Sequence, residues 1–147
     1  MSEYTMMVAG YSHYQPALKS LLEKNYLYSC SKSELINEID IDEKIYEYEQ
    51  AECSLAIIHE PNNQFDPAAL MVYADGKHIG YVPRGRLSDL AKLSRAPGLK
   101  MSVRIYGGSY KYLEYDEDKD YFGEMDDKYF KVCKETDQVR AIMIFRW

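Results

Sequence analysis

The sequence lacks the features of a membrane or secreted protein. No apolar run approaches the roughly 18 residues that a membrane-spanning helix needs, and no basic segment followed by an apolar one opens the chain. The three cysteines, Cys30, Cys53 and Cys133, are odd in number and widely spaced, which is typical of reduced structural thiols. With 147 residues, we expect a soluble cytoplasmic protein with one core.

Catalytic and metal-binding motifs are also missing. The chain has no G-x-S-x-G, no P-loop and no H-E-x-x-H. Its three histidines, His13, His59 and His78, do not have the spacing of metal ligands. The acidic run at 114–127 does not fit the register of a calcium-binding loop. We therefore predict a protein that is not an enzyme and that holds no metal or cofactor.

Positive charge is scarce overall but locally concentrated. The formal net charge of −6 argues against bulk nucleic-acid binding. However, residues 54–111 carry four acids and eight bases, a net charge of +4, whereas residues 1–53 and 112–147 have net charges of −6 and −4. An anionic ligand is therefore expected at the middle third of the chain. The fifteen tyrosines suit half-exposed positions, because each ring is apolar and ends in a polar hydroxyl.

Hydrophobic periodicity predicts a mostly β fold with a few short helices. Hairpin spacing dominates and no strand-helix-strand repeat occurs, so a small antiparallel barrel is the expected architecture. The expected strands are 5–10, 53–60, 68–74, 78–82, 99–108, 129–135 and 139–147, and the expected helices are 15–25, 31–39 and 85–95. We expect residues 1–110 to form the barrel, with an acidic insertion at about 26–52. Residues 111–147 would add an acidic loop (111–128) and a C-terminal hairpin, packed on the same domain.

One turn between two predicted strands is unusual. It has the sequence EPNNQFDP (60–67). Asn62, Asn63 and Asp66 can each hydrogen-bond the backbone of their own turn. Phe65, a large apolar ring in a polar turn, must either fold back onto the core or be offered to a partner. The turn is therefore either a purely structural connection or a ligand site.

With its flanking segments, this turn resembles the HIRAN domain family. The shared segments are VAG (8–10), EPNNQFDPAAL (60–70) and IGYVP (79–83), and the resemblance extends from residue 5 to about 107. The family occurs as stand-alone bacterial proteins and at the N-terminus of fork-remodelling helicases. The resemblance implies a modified oligonucleotide-binding (OB) barrel that captures the 3′-hydroxyl end of single-stranded DNA, with a role in DNA repair.

The resemblance also implies which residues form the site. Asp66 would accept a hydrogen bond from the terminal 3′-hydroxyl and would repel a 3′-phosphate. Aromatic side chains would stack on the terminal bases. Gln64 replaces the usual proline, and His13 stands where helicase members tend to have tyrosine. The expected nucleic-acid-binding residues are His13, Tyr14, Asn62, Asn63, Phe65, Asp66, Tyr81 and Tyr106, together with Lys77 and Arg84, which we add because of their charge.

A second class of function is consistent with the same sequence. The acidic, tyrosine-rich stretches 26–52 and 111–128 would suit a protein–protein interaction module. In that case the EPNNQFDP turn would be structural and Phe65 would plug the end of the barrel. The two hypotheses differ in their partner, a single-stranded DNA end or another protein.

Overall fold

The computed structural model describes residues 1–116 and 129–147. Within them no helix is long and apolar enough to cross a membrane. The strands are β1 (Glu3–Met7), β2 (Ile45–Tyr46), β3 (Ala51–His59), β4 (Leu70–Ala74), β5 (Lys77–Tyr81), β6 (Lys100–Gly107), β7 (Tyr110–Tyr115), β8 (Phe130–Glu135) and β9 (Val139–Arg146). The α-helices are α1 (Gln15–Ser20), α2 (Lys32–Glu38) and α3 (Leu87–Leu93), and 3-10 turns occupy Tyr11–His13, Tyr26–Ser29 and Arg84–Arg86.

The chain divides into two compact units, each assembled from separate stretches of sequence. The first unit comprises Met1–Leu22, Gln50–Tyr106 and Val139–Trp147, and the second comprises Glu23–Glu49 and Gly107–Gln138. Each unit has its own hydrophobic core. The sequence analysis had expected residues 1–110 to form a barrel, with residues 111–147 packed on the same domain.

The first unit is built on a six-stranded sheet with the strand order β1-β9-β6-β3-β4-β5. The central strand β3 pairs antiparallel with β4 on one side and with β6 on the other. The β4–β5 hairpin turns at Asp75 and Gly76, whose φ angles of 46° and 82° match the two-residue turn that an Asp-Gly pair predicts. The sheet buries a core that includes Val72, Ile79 and Phe145.

The two outer strands of this sheet meet at one point beside Gly80. The Ala9 N–H donates to the Tyr81 carbonyl at 2.8 Å, and the Tyr81 N–H donates back at 2.9 Å. A Cβ atom on Gly80, whose φ is 150°, would lie 2.4 Å from the Ala9 carbonyl oxygen and 2.5 Å from Val8 Cγ1. Only glycine fits this close approach.

The predicted mostly β fold with a few short helices is confirmed. The sheet is OB-like but is not closed into a complete barrel, because its outer strands share an isolated bridge at Ala9 and Tyr81 rather than a continuous ladder. A bulge between Val72 and Tyr73 shifts the β4–β5 register.

The second unit contains the three-stranded antiparallel sheet β2-β7-β8 and helix α2. The predicted helix start at Ser31 is confirmed, since its hydroxyl accepts the Glu34 N–H at 3.3 Å and the Glu34 carboxylate accepts the Ser31 N–H at 3.1 Å. Leu35 and Ile36 of this helix are buried with Leu113 of β7.

Two predictions for the C-terminal part are wrong. The acidic loop predicted from residue 111 begins instead with strand β7, which alternates as YKYLEY. The rest of that predicted loop, residues 117–128, lies outside the described residues. The predicted C-terminal hairpin does not form, because β8 pairs with β7 whereas β9 pairs with β1. The short TDQ segment between them connects two sheets.

Replacing Gly80 by alanine tests the close approach. We expect Gly80→Ala to lower the free energy of unfolding by about 2–4 kcal/mol, because the added methyl group must displace backbone from a strained position. Urea unfolding of the pure protein measures the change. Gly85→Ala is the matched control, since a Cβ there has no heavy atom within 4 Å, and we expect a change within about 0.5 kcal/mol. Equal effects of the two substitutions would contradict the steric argument.

Candidate functional site

The EPNNQFDP turn and the chain that follows β5 line a cleft of about 600 Å³ in the first unit. β3 leads into the turn and β4 leads out of it, and the β4–β5 hairpin brings residues 81–84 back beside it. Glu60 and Ala69 close the base of the turn, where the Glu60 N–H donates to the Ala69 carbonyl at 3.0 Å. The lining includes six of the sequence-predicted site residues, namely Asn62, Asn63, Phe65, Asp66, Tyr81 and Arg84.

Hydrogen bonds within the turn fix its shape. The Asn63 side-chain oxygen accepts the N–H groups of Phe65 and Asp66, both at 2.9 Å. The Asn63 amide group donates to the Glu60 carboxylate at 2.8 Å. The Asp66 Oδ1 atom accepts the Ala68 N–H at 2.9 Å. Asn63 and Asp66 therefore have the structural role that turn chemistry predicts.

The Phe65 ring stands in solvent on this rigid turn. Its exposed fraction is 88%, so the hypothesis that it plugs the end of the barrel is wrong. Burial of a large aromatic side chain ordinarily stabilises a protein by about 1.5–3 kcal/mol. The exposed Phe65 ring does not provide this stabilisation. Such a ring offers an open face to a planar ligand.

Asp66 and Arg84 form an ion pair at the edge of the cleft. Asp66 Oδ2 lies 3.2 Å from Arg84 Nε, and the exposed fractions of the two side chains are 22% and 73%. An ion pair with such an exposed guanidinium contributes at most about 1 kcal/mol to the stability of the fold. Arg84 can therefore exchange its partner for a ligand phosphate at small cost. The carboxylate has further lone pairs with which to accept a ligand hydroxyl.

An aromatic cluster borders the cleft at Tyr81. The Tyr81 hydroxyl donates to the Glu60 carboxylate at 3.3–3.4 Å. The ring centroids of Tyr14 and His78 lie 6.4 Å and 5.1 Å from that of Tyr81. Burial and a hydrogen bond with Tyr14 raise the pKa of Tyr81 to about 12, with a smaller contribution from Glu60. Tyr81 is therefore a neutral donor at physiological pH.

The remaining predicted site residues lie outside the cleft lining. Tyr14 contacts the cluster through His78, with ring centroids 4.5 Å apart. His13 is exposed in the 3-10 turn before α1. Lys77 opens β5 and donates to the Ser20 hydroxyl at 2.6 Å. Tyr106 lies on β6, with its hydroxyl 3.6 Å from the Met7 sulfur.

The sequence analysis missed Glu60 and His78 as parts of this site. The Glu60 carboxylate accepts hydrogen bonds from both Asn63 and Tyr81. Its spacing of three residues from Asn63 could have indicated the first of these contacts. His78 stacks on Tyr73 across the β4–β5 ladder, with ring centroids 5.2 Å apart. Alternation gave no signal for His78, because His78 and Tyr81 are three residues apart and would lie on opposite faces of a regular strand.

Removing the Asn63 side-chain acceptor should loosen the turn. We expect Asn63→Ala to lower the free energy of unfolding by about 1–3 kcal/mol, because the N–H groups of Phe65 and Asp66 lose their acceptor. Those two amides should exchange hydrogen faster, as measured by NMR. Asn62→Ala is the control at a neighbouring exposed amide, and it should leave both readouts nearly unchanged. Unchanged exchange in Asn63→Ala would show that the turn does not depend on this side chain.

Comparisons with known proteins identify one family. The model of the HIRAN domain family matches residues 37–124, which is more than half of the chain and includes every residue that lines the cleft. No curated protein and no solved structure matches the chain.

Proposed function

The chain belongs to the HIRAN domain family, and we propose that its cleft binds the 3′-hydroxyl end of single-stranded DNA. HIRAN domains are nucleic-acid-binding modules, so the proposal concerns which nucleic acid is bound and where. The observation that carries it is the exposed Phe65 ring, held by the turn beside the Asp66 carboxylate and the Arg84 guanidinium. These three groups match the base, the terminal hydroxyl and the phosphate of a strand end.

Phe65 would supply the stacking surface for the terminal base. Stacking on an aromatic side chain contributes about 1–3 kcal/mol per base and does not depend on the base. The backbone that carries the ring is already fixed, because the Phe65 N–H donates to the Asn63 side-chain oxygen at 2.9 Å. Little ordering of the turn is therefore needed when the base binds. This arrangement supports binding without sequence preference.

Asp66 would distinguish a hydroxyl end from other ends. A 3′-hydroxyl can donate to the carboxylate, whereas a 3′-phosphate would place like charges together. Within the structure Asp66 Oδ2 pairs with the exposed Arg84. Movement of Arg84 towards the last phosphodiester group would free this oxygen and neutralise a phosphate. The function would be one of binding, without a chemical step.

The charge of the first unit supports an anionic ligand. Its three stretches carry six acids and ten bases, a net charge of +4. A net positive unit attracts a nucleic-acid backbone, and the attraction falls as salt rises. The formal net charge of −6 for the whole chain conceals this local excess.

The expected affinity is modest. Two stacked bases contribute about 2–6 kcal/mol, and one charge-assisted hydrogen bond adds about 1.5–3 kcal/mol. Micromolar affinity needs roughly 8 kcal/mol. The cleft alone would therefore bind a strand end with micromolar affinity at best, and tighter binding would need a second contact on the same ligand.

Fluorescence anisotropy with short labelled strands tests the proposal. We would compare a 3′-hydroxyl strand, a 3′-phosphate strand and a circular strand of the same composition at moderate salt. We expect micromolar binding of the 3′-hydroxyl strand and at least about tenfold weaker binding of the other two. Equal binding of all three would show a generic groove. Absence of binding to any of them would overturn the proposal.

Two variants assign the roles within the cleft. Phe65→Ala should weaken binding of the 3′-hydroxyl strand about fivefold to a hundredfold, because one base loses the ring on which it stacks. Asp66→Asn should reduce the preference for the hydroxyl end over the phosphate end, and full preference in this variant would refute the proposed role of Asp66. Tyr26→Ala is the matched control, since Tyr26 is another exposed aromatic residue, 70% exposed, in the second unit.

A further inference from the structure

One face of the sheet in the second unit is covered with tyrosine rings. Tyr46 of β2 pairs with Tyr110 of β7 in the strand register, and Tyr112 follows two residues later on the same face. The ring centroids of Tyr46 and Tyr110 lie 5.4 Å apart, and those of Tyr110 and Tyr112 lie 6.2 Å apart. We call these three residues the tyrosine face.

The core of the second unit lies on the other side of this sheet. Ile45 and Leu113, which alternate with the tyrosines along β2 and β7, are buried in the core with helix α2. The tyrosine face is only half-buried. It borders a depression of about 280 Å³, whose lining is formed by Asp42, Lys44, Tyr110, Tyr112 and Glu135. The depression can hold one planar side chain.

The depression already shows which kind of group its rings accept. Lys44 Nζ lies 4.8 Å from the centroid of the Tyr110 ring, in the geometry of a cation–π contact. On the rim, the carboxylates of Asp42 and Glu135 have neither a hydrogen bond nor an ion pair within residues 1–116 and 129–147. By contrast, Glu114 on the same sheet is paired with Lys131 at 3.0 Å. Two carboxylates without an ion pair therefore border the two rings, and a partner cation at Tyr110 would take the place of Lys44.

The net charge of the second unit also favours a cationic ligand. Its two stretches carry eighteen acids and eight bases, a net charge of −10. The Cys133 thiol, burial and the nearby Glu114 and Glu135 carboxylates raise the pKa of Tyr112. A unit with this field repels a nucleic acid and attracts a cationic ligand.

We propose that the tyrosine face binds an arginine-rich segment of a protein partner. A guanidinium group is planar, so it stacks on a phenol ring while its N–H groups donate to the carboxylates of Asp42 and Glu135. Arginine suits the site better than lysine, whose compact ammonium group cannot stack and bond two carboxylates together. This proposal is independent of the DNA-end proposal, because it uses other residues and a ligand of opposite charge.

Binding of short peptides to the full chain tests this proposal. We would measure fluorescence anisotropy of a labelled peptide of arginine and glycine, and of matched peptides with lysine or glutamine in place of arginine. We expect the arginine peptide to bind at least about fivefold more tightly than the lysine peptide. The glutamine peptide should not bind. Equal affinity of the arginine and lysine peptides would show attraction by net charge alone and would overturn the proposal.

Variants locate the contact. The double variant Tyr110→Ala, Tyr112→Ala should weaken binding of the arginine peptide about tenfold. The double variant Tyr110→Phe, Tyr112→Phe should keep the affinity within about threefold of the unsubstituted protein, because phenylalanine retains an aromatic face. Phe65→Ala should leave peptide binding unchanged. If the alanine variant fails to fold, the near-isosteric double variant Asp42→Asn, Glu135→Gln tests the site instead. We expect it to bind the arginine peptide about tenfold more weakly at low salt.

Two results would refute this assignment. One is unchanged peptide binding in both the tyrosine-to-alanine and the carboxylate-to-amide variants. The other is loss of single-stranded DNA binding in the tyrosine variants while peptide binding persists, because the tyrosine face would then hold nucleic acid. The first result does not bear on Phe65 and Asp66, so the peptide proposal can fail by itself. The second result would also contradict the cleft as the DNA site.

Discussion

The first unit depends on the contact between two backbone segments at Gly80. Because Gly80 has no side chain, the backbone of β5 can approach Ala9 closely enough for the paired hydrogen bonds between Ala9 and Tyr81. The bulge between Val72 and Tyr73 lies beside this point and changes the direction of the strand. Together they place residues 81–84 against the EPNNQFDP turn. The β4–β5 pairing brings this part of the chain beside the turn, and the bridge to Ala9 ties down the same end of β5.

Within the cleft, some residues fix the turn and their neighbours have the proposed ligand-binding roles. Asn63 holds the turn by accepting two backbone N–H groups, and the Phe65 ring on this turn is exposed. The exposed ring forgoes about 1.5–3 kcal/mol of burial, and hydrogen bonds of about 1 kcal/mol each within the turn offset this cost. A structural turn and a ligand site were alternatives when only the sequence was considered. The hydrogen bonds that fix the turn also fix the backbone that carries Phe65 and Asp66, on which the proposed ligand site depends.

The sequence predicted features that are local and missed those that depend on pairing between distant segments. Six cleft residues fall between 62 and 84, within one turn and one hairpin, so their proximity follows from local chemistry. Glu60 was not predicted as a site residue, because its contact with Tyr81 joins residues that are 21 positions apart. Strand β7 was mistaken for a loop because acidic residues and tyrosines conceal its alternation. The false C-terminal hairpin arose because a short polar linker cannot show whether the next strand joins the same sheet.

Net charge illustrates the same limit and connects the two proposals. The value of −6 argues against nucleic-acid binding only if charge is spread evenly. Folding instead gathers the basic middle of the chain and the bases of β9 into one unit of net charge +4, and it gathers the acidic stretches into another of −10. A ligand senses charges within about one Debye length, roughly 10 Å at 0.1 M salt. The charge of the first unit therefore suits the proposed anionic strand end, and the charge of the second suits the proposed cationic peptide.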